Sequence, residues 1–269
     1  MKTPCFDTVI LSDLHLGSEV SRAHAALRML KAISFRRLIL LGDIFCDLNF
    51  RRLKKEHWHF LGYIRRLSNP KRDIEVVWVE GNHDQGLSEV MSHLVGIEVF
   101  EEYAWEFCGR RHLAIHGHQF DRFVVNNLPL SNFLTLIYLQ VQKWDFGSRR
   151  MARFLDHLDT AWLRLSSKVA SGALAHAHAR GADRVFCGHT HEATELKRNG
   201  VEYFNTGSWT QAAATYVTID EQGVKIHEYA ERADDCDSGE ERSEVASAIA
   251  ELLSPAGLPA DFEYEGVSG

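Results

Sequence analysis

The 269 residues are enough for one large α/β domain or two small ones, and 45% hydrophobic with 25% charged residues is an ordinary soluble globular composition. The apolar runs are shorter than the roughly 20 residues that span a bilayer. We expect the N-terminal residues to enter a strand at once, which would leave no room for a signal peptide. The net charge of −7 arises late in the chain, because twelve acidic residues and two arginines follow from Glu228 onward, which leaves a mildly basic body.

The five cysteines form an odd set without a CxxC pair, which favours free thiols in a reducing compartment. These features together predict a cytoplasmic protein. We expect residues 1–230 to form the folded domain and residues 231–269 to form an acidic, mobile tail.

The first three expected strands each combine a short β-branched, apolar run with a polar cluster at its end. They occupy residues 7–17, 36–47 and 74–84, and helical stretches separate them around residues 20–34 and 52–68. Strands that alternate with helices are typical of an α/β sheet, in which ligands bind beyond the carboxyl ends of the strands. We therefore expect a ligand site at these strand ends.

Tighter spacing after Glu98 indicates hairpins rather than further strand–helix units. Three hairpins are expected, turning at Gly109, at residues 199–200 and near residues 222–223. Residues 121–180, in contrast, have helical spacing, many large apolar residues and no strand signal. They suit core helices, but their position between two strand–loop motifs favours a helical cap inserted over the site.

The polar clusters at the strand ends are rich in carboxylate, amide and imidazole groups. Asp13 and His15, like His189 and His191, are two residues apart, so in an extended backbone both side chains of a pair point to one side. A carboxylate oxygen with an imidazole nitrogen suits Mn²⁺, Fe²⁺ or Zn²⁺ better than Ca²⁺. Each cluster alone occurs often by chance, and the ordered set is what indicates a metal site: Asp13-Leu14-His15, Gly42-Asp43, Gly81-Asn82-His83-Asp84, His116-Gly117-His118 and Gly188-His189-Thr190-His191.

Cys187, next to the last cluster, allows a second interpretation, a structural zinc site made of one cysteine and two histidines. Structural zinc sites are usually richer in sulfur, and the other strand ends contribute oxygen ligands. The sequence therefore favours a catalytic metal site over a structural one.

The ordered set resembles the signature of the calcineurin-like metallophosphoesterases, and the resemblance extends over residues 7–229. It implies an α/β protein with a four-layer α/β/β/α metallophosphoesterase sandwich, into which the helical cap is inserted. In this family the sandwich holds two metal ions at one edge. His83 would stand beside the ions. The implied ligands are Asp13, His15 and His191 on one ion, Asn82, His116 and His189 on the other, and Asp43 bridging both.

This resemblance implies a dinuclear phosphoesterase or pyrophosphatase. Two cations roughly 3.5–4 Å apart can hold a hydroxide and draw in phosphate oxygens for in-line attack on phosphorus. Among divalent metals we favour Mn²⁺, with Fe²⁺ and Zn²⁺ as alternatives. His83 and Asp84 are the candidate catalytic residues: His83 to protonate the departing oxygen or stabilise its charge, and Asp84 to orient the His83 ring.

A narrower resemblance links the chain to the UDP-2,3-diacylglucosamine pyrophosphatase group of lipid A biosynthesis. "HGHQFD" (116–121), the long helical segment after it, "VFCGHTHEA" (185–193) and "YFNTGSW" (203–209) carry it. It implies hydrolysis of a lipid-linked nucleotide with release of UMP, a lid that accepts acyl chains and peripheral contact with the inner membrane. His83, however, stands where that group carries arginine, so the substrate is left open.

Two other functions are kept as alternatives. A phosphodiesterase acting on nucleotides or another small phosphodiester would use the same metals; the chain has no basic stripe interleaved with aromatic residues, so we expect no nucleic-acid partner. A non-catalytic metal-binding scaffold should have lost ligands, whereas every expected ligand is present. The sequence gives no indication of the oligomeric state.

Overall fold

Eleven strands account for the extended segments of the described chain. The computed structural model describes residues 5–86, 96–121, 166–211 and 213–230, and every element below lies within these ranges. In chain order the strands are β1 Cys5–Leu11, β2 Ser34–Leu41, β3 Glu75–Val79, β4 Val99–Phe100, β5 Glu102–Phe107, β6 Arg110–Ile115, β7 Arg184–Cys187, β8 Thr194–Arg198, β9 Val201–Asn205, β10 Ala214–Asp220 and β11 Gly223–Tyr229.

These strands form two mixed sheets. The first has the order β11-β10-β1-β2-β3-β4, with β1 to β4 parallel and β10 and β11 antiparallel at one edge. The second has the order β5-β6-β7-β9-β8, with β6, β7 and β9 parallel. The three hairpins expected from the sequence are confirmed as β5–β6, β8–β9 and β10–β11.

Helices α1 (Ala23–Ala32) and α2 (Lys55–Leu67) connect the first parallel strands, as expected. In α1 the alanines and leucines at positions 23, 26, 27 and 30 are all buried, and this i, i+3, i+4, i+7 spacing gives the helix one apolar face. That face packs, together with α2, on the outer side of the first sheet. A third helix, α3, covers residues 166–179, and short 3₁₀ turns lie at Phe50–Arg52 and His118–Phe120.

Alternating side chains of β1 join the outer layers to the core between the sheets. Val9 and Leu11 face the helices, while Ile10 belongs to a second buried cluster with Trp105 and Phe186 from the other sheet. The central strands are therefore apolar on both faces, which explains their continuous hydrophobic sequences. Helices, sheet, sheet and helix are stacked in that order, and the predicted four-layer α/β/β/α arrangement is confirmed.

Helix α3 corrects part of the expected cap. Ala170, Ala173 and Ala177 pack with Leu113 and Val185 on the outer face of the second sheet. Small side chains at this spacing let the helix approach the strands closely, so residues 166–179 form an outer layer of the sandwich rather than the end of a cap. The rest of the predicted cap and the predicted tail lie outside the described residues.

Within the described ranges, each helix is too short or too polar to cross a bilayer.

Candidate metal centre

Five strand ends meet at one edge of the two sheets and bring the predicted ligands together. Beyond them, the described residues with ligand-bearing side chains form three overlapping groups whose nitrogen or oxygen atoms lie within 4.8 Å of one another. The contributing segments are those after β1 (Asp13 and His15), β2 (Asp43), β3 (Asn82, His83 and Asp84), β6 (His116) and β7 (His189 and His191).

Where these loops leave the strands, their own backbone has an unusual conformation. Seven described non-glycine residues have a positive φ, and five of them are predicted ligands: Asp13 (52°), His15 (48°), Asp43 (50°), His189 (68°) and His191 (56°). Each such residue costs roughly 1 kcal/mol or more, a strain that is typical of functional sites. Hydrogen bonds from loop to loop stabilise the turns, including Asp13 N–H to the Gly42 carbonyl (3.1 Å) and His15 N–H to the Asp43 carbonyl (3.0 Å).

The first group consists of Asp13, His15 and His191. His191 Nε2 lies 3.1 Å from Asp13 Oδ1 and 3.2 Å from His15 Nε2, and His15 Nε2 lies 3.9 Å from Asp13 Oδ1. The other carboxylate oxygen of Asp13 accepts the backbone N–H of His189 at 3.1 Å, which fixes the plane of the carboxylate. One carboxylate oxygen and two imidazole nitrogens therefore converge on a single point.

The second group consists of Asp43, His116 and His189. His116 Nε2 lies 3.3 Å from Asp43 Oδ2, and its Nδ1 lies 2.9 Å from the Leu41 carbonyl, which can accept the Nδ1 proton and leave Nε2 for a metal. His189 Nε2 faces Asp121 Oδ2 at 3.4 Å, so Nδ1 of His189 is the atom left for the centre.

Asp43 lies between the two groups. Its Oδ1 accepts the backbone N–H of His83 at 2.9 Å, while its Oδ2 faces both His116 and, at 3.9 Å, His83 Nε2. Asp43 also forms the third overlapping group with His15 and His83. The structure thus brings His83 to the edge of the centre, farther from the shared carboxylate oxygen than His116.

The expectation that Asp84 orients the His83 ring is wrong. His83 Nδ1 lies 2.7 Å from the Cys46 carbonyl, which positions the ring. The carboxylate of Asp84 instead accepts the backbone N–H groups of Ile44 (3.0 Å) and Phe45 (2.9 Å). Asp84 therefore stabilises the loop after β2, which carries Asp43.

Three buried polar atoms test whether a metal fits these residues. Asp13 Oδ1, Asn82 Oδ1 and His116 Nε2 are shielded from solvent. Asn82 Oδ1 has no hydrogen-bond partner among the described residues, and the other two lack hydrogen-bond geometry and face only other candidate ligand atoms, His191 Nε2 and Asp43 Oδ2. A buried polar atom without a partner is costly, and a cation would satisfy all three. A carboxylate, an amide oxygen and imidazoles are ligands that suit Mn²⁺, Fe²⁺ or Zn²⁺. Cys187 belongs to none of the three ligand groups, which disfavours the structural-zinc alternative.

The comparisons with known proteins agree with this geometry. Residues 6–223 match the calcineurin-like phosphoesterase superfamily domain. The chain belongs to this superfamily. Superfamily membership supports phosphoester hydrolysis, and the His/Asp groups agree with a metal-dependent hydrolase.

Several solved structures resemble this calcineurin-like chain at low sequence identity. A phosphoesterase from E. coli is 17% identical, with 84% of this chain and 98% of that chain covered and a TM-score of 0.45. An archaeal phosphodiesterase is 13% identical (82% and 98% covered, TM-score 0.44). Vps29 from Entamoeba histolytica, complexed with Zn²⁺, is 15% identical (82% and 97% covered, TM-score 0.42). No curated protein matches the chain.

The charges of the calcineurin-like centre suit cation binding. Burial raises the pKa of Asp43, but the neighbouring His116 and His83 outweigh burial and hold that pKa well below its ordinary value. Burial, assisted by the charge of His83, lowers the pKa of His15 to about 3, against the attraction of Asp43. Burial also favours neutral His116, yet the Asp43 carboxylate raises the His116 pKa to about 9. A cation bound beside Asp43 would take the place of that proton.

Two glycines allow loops of the phosphoesterase fold to approach each other closely. A Cβ atom on Gly81 would lie 2.2 Å from Asp43 N, and one on Gly188 would lie 2.4 Å from Asp13 Oδ2. Real Cβ atoms do not make such contacts, so only glycine fits at these two positions.

Sequence reasoning missed two groups that position the ligands. Asp121, which faces His189, is the last residue of the "HGHQFD" stretch. Its role could have been predicted from the sequence, because a carboxylate often orients a metal-bound histidine. The role of the Cys46 carbonyl, which orients His83, could not, because it acts through the backbone.

Proposed function

We propose that the protein is a two-metal phosphoesterase. Its two divalent ions, Mn²⁺ in preference to Fe²⁺ or Zn²⁺, would be held by Asp13, His15 and His191 and by Asn82, His116 and His189, with Asp43 shared. The observation that carries the proposal is that two Asp/His groups, each with residues from both sheets, are linked by a third. The linking group, His15–Asp43–His83, shares His15 with the first and the buried Asp43 carboxylate with the second. When bound, two such ions draw in phosphate oxygens and make water nucleophilic at neutral pH.

His83 is the chain's own candidate proton donor. The Cys46 carbonyl accepts a hydrogen bond from Nδ1 of the His83 ring, and Nε2 therefore lies at the edge of the centre beside Asp43. In the protonated ring, Nε2 can donate to an oxygen that leaves phosphorus or to one that gains charge in the transition state. The backbone N–H of His83 meanwhile keeps the Asp43 carboxylate in place.

For the substrate we propose UDP-2,3-diacylglucosamine, cleaved at its pyrophosphate to release UMP. The support is the sequence of the 116–121, 185–193 and 203–209 stretches, which carry both ligands and loop residues of the centre. With this substrate we further propose a cytoplasmic enzyme in peripheral contact with the inner membrane and without a nucleic-acid partner. His83, in place of arginine, favours a second candidate, a small phosphodiester such as a nucleotide diester.

Two assays on Mn²⁺-loaded protein distinguish these substrates. One follows UMP release from UDP-2,3-diacylglucosamine, and the other follows hydrolysis of bis(p-nitrophenyl) phosphate. Saturable UMP release supports the lipid substrate, while turnover of the aryl diester alone supports the second candidate. Turnover of neither, with metal bound, would identify a non-catalytic scaffold and overturn the proposal.

A metal count tests the dinuclear site independently of turnover. Elemental analysis after dialysis should give two Mn²⁺ per chain in the unchanged protein and fewer in Asp43→Asn, because that carboxylate is shared. A single ion per chain in the unchanged protein, at saturating Mn²⁺, would contradict the two-metal assignment.

A further inference from the structure

His57 is a fully buried histidine outside the metal centre that contacts a loop of the centre. It lies in the first turn of α2, and its side chain has no exposed surface. Its Nδ1 accepts two backbone N–H groups, from Gly17 at 3.2 Å and from Lys54 at 3.1 Å. Gly17 follows the candidate ligand His15 by two residues.

The two bonds at Nδ1 fix the protonation state of the ring. An atom that accepts two N–H groups must carry a lone pair, so the proton of the neutral ring is on Nε2. Nε2 lies 3.7 Å from Glu56 Oε1. Burial lowers the pKa of His57, with Glu56 opposing and Lys54 assisting, and this keeps the acceptor form populated.

The loop that His57 holds has a demanding backbone path. His15 has φ 48° and Gly17 has φ 97°, so the chain passes twice through the left-handed region within three residues. Between them, Leu16 is tied to the loop after β2, because its N–H donates to the Ile44 carbonyl at 2.7 Å and its carbonyl accepts from Cys46 at 2.9 Å. Strained turns of this kind persist only where surrounding contacts over-determine them.

We propose that His57 is a positioning residue of the metal centre, whose Nδ1 anchors the Gly17 backbone and thereby holds His15 in its ligand position. The inference rests on the proposed metal-dependent function. It distinguishes His57 from an ordinary buried histidine, because the bond runs from the first turn of a helix to the ligand loop. Loss of the acceptor would leave the Gly17 and Lys54 N–H groups without a partner and free the turn to relax.

Two substitutions separate the acceptor from the bulk of the ring. His57→Leu introduces an apolar side chain of similar size that cannot accept either hydrogen bond. His57→Asn places its amide oxygen near the position of Nδ1 and can accept both N–H groups. Groups that orient metal ligands from outside typically contribute 10–100-fold to metal affinity. We therefore expect Mn²⁺ affinity to fall 10–100-fold in His57→Leu and less than about fivefold in His57→Asn.

His112→Leu is the matched control. His112 is also fully buried, but it stacks on Trp105 and lies tilted against Phe186 between the sheets. This variant should lose stability without losing Mn²⁺ affinity. Titration calorimetry measures the affinity, and amide hydrogen exchange measures protection of the Gly17 N–H, which should fall in His57→Leu alone.

The outcomes separate this inference from the proposed function. Equal Mn²⁺ affinity in His57→Leu and the unchanged protein, or an equal loss in His57→Asn, would overturn the positioning role while leaving the function intact. Failure of the unchanged protein to bind any of Mn²⁺, Fe²⁺ and Zn²⁺ would overturn the function itself. Should His57→Leu fail to fold, His57→Gln replaces it: moving the acceptor by one bond should weaken Mn²⁺ binding relative to His57→Asn, and equal affinities would refute the inference.

Discussion

Gly188→Ala tests whether the close approach of two loops sets the geometry of the metal centre. A Cβ atom at this position would lie 2.4 Å from Asp13 Oδ2, 2.6 Å from Ser12 Oγ and 2.7 Å from Ser12 Cβ. Ordinary contacts of a Cβ atom begin near 3.4 Å, so the two loops must separate by about 1 Å.

Neither neighbour can move without breaking other bonds. Asp13 is held by its N–H to Gly42, by its carbonyl, which accepts from Trp209 at 3.1 Å, and by the His189 N–H on Oδ2. Ser12 Oγ is 2.6 Å from Thr206 Oγ1. Over-packing of this kind costs about 1–3 kcal/mol of stability, and a displacement of about 1 Å at a catalytic group costs about 100-fold in rate.

We therefore expect Gly188→Ala to lose about 100-fold in turnover of bis(p-nitrophenyl) phosphate at saturating Mn²⁺, together with 1–3 kcal/mol in urea unfolding. Gly181→Ala is the control: its φ is 66° with nothing within 4 Å, so it should lose about 1 kcal/mol through backbone strain and no turnover. Wild-type turnover in Gly188→Ala would refute the argument that the position of Asp13 depends on this contact.

Three further predictions concern single side chains. Asp43→Asn keeps the size of the shared ligand and removes its charge. Groups that only orient metal ligands contribute up to about 100-fold to metal affinity or activity, so we expect loss of a ligand itself to lower turnover by more than that, with an unchanged circular dichroism spectrum. Near-normal turnover would contradict the two-metal mechanism. His83→Gln should lower kcat by about 10²–10⁴-fold with the Mn²⁺ content unchanged; loss of one ion on elemental analysis would instead make His83 a ligand. Burial and the charge of Arg184 lower the pKa of His112 from 6.5 to about 4. Between these pH values His112 therefore binds a proton in the unfolded chain but not in the folded one. Acidification from pH 6.5 to 4 should lower the free energy of unfolding by up to about 3 kcal/mol, measured by urea unfolding. His112→Leu should lack this pH-dependent loss, and the same pH dependence in this variant as in the unchanged protein would contradict the prediction.

Much of the fold could be predicted from the sequence because its signals are local. The apolar runs that end at Leu11, Leu41 and Val79 are buried on both faces, and such strands have continuous hydrophobic sequences. The turns at residues 199–200 carry an Asn-Gly pair that suits positive φ at both positions, and both are found there (52° and 83°). The role of residues 166–179 was harder to predict, because helical spacing is the same whether a helix covers a sheet or belongs to a cap.

The candidate ligands could be named from the sequence, but their orientation could not. Positions two apart predict side chains on one side only while the backbone is extended, yet Asp13, His15, His189 and His191 all have positive φ. His189 and His191 consequently join different groups, one with His116 and the other with Asp13. The structure brings the paired histidines to the same centre, but a strained turn rather than an extended strand divides them between the two groups.

The "GNHD" stretch shows why adjacency in sequence is a poor guide to adjacency of side chains in such loops. Its histidine reaches the edge of the centre, and the next residue, Asp84, turns back to the backbone of residues 44 and 45. Both residues thereby position Asp43. The backbone N–H of His83 donates to the Asp43 carboxylate, and the Asp84 side chain holds the loop that follows Asp43. Asp84 therefore affects the metal centre through the position of Asp43, and Asp84→Asn should lower stability and Mn²⁺ affinity together. A loss of kcat alone, with both of those unchanged, would restore a direct role beside His83.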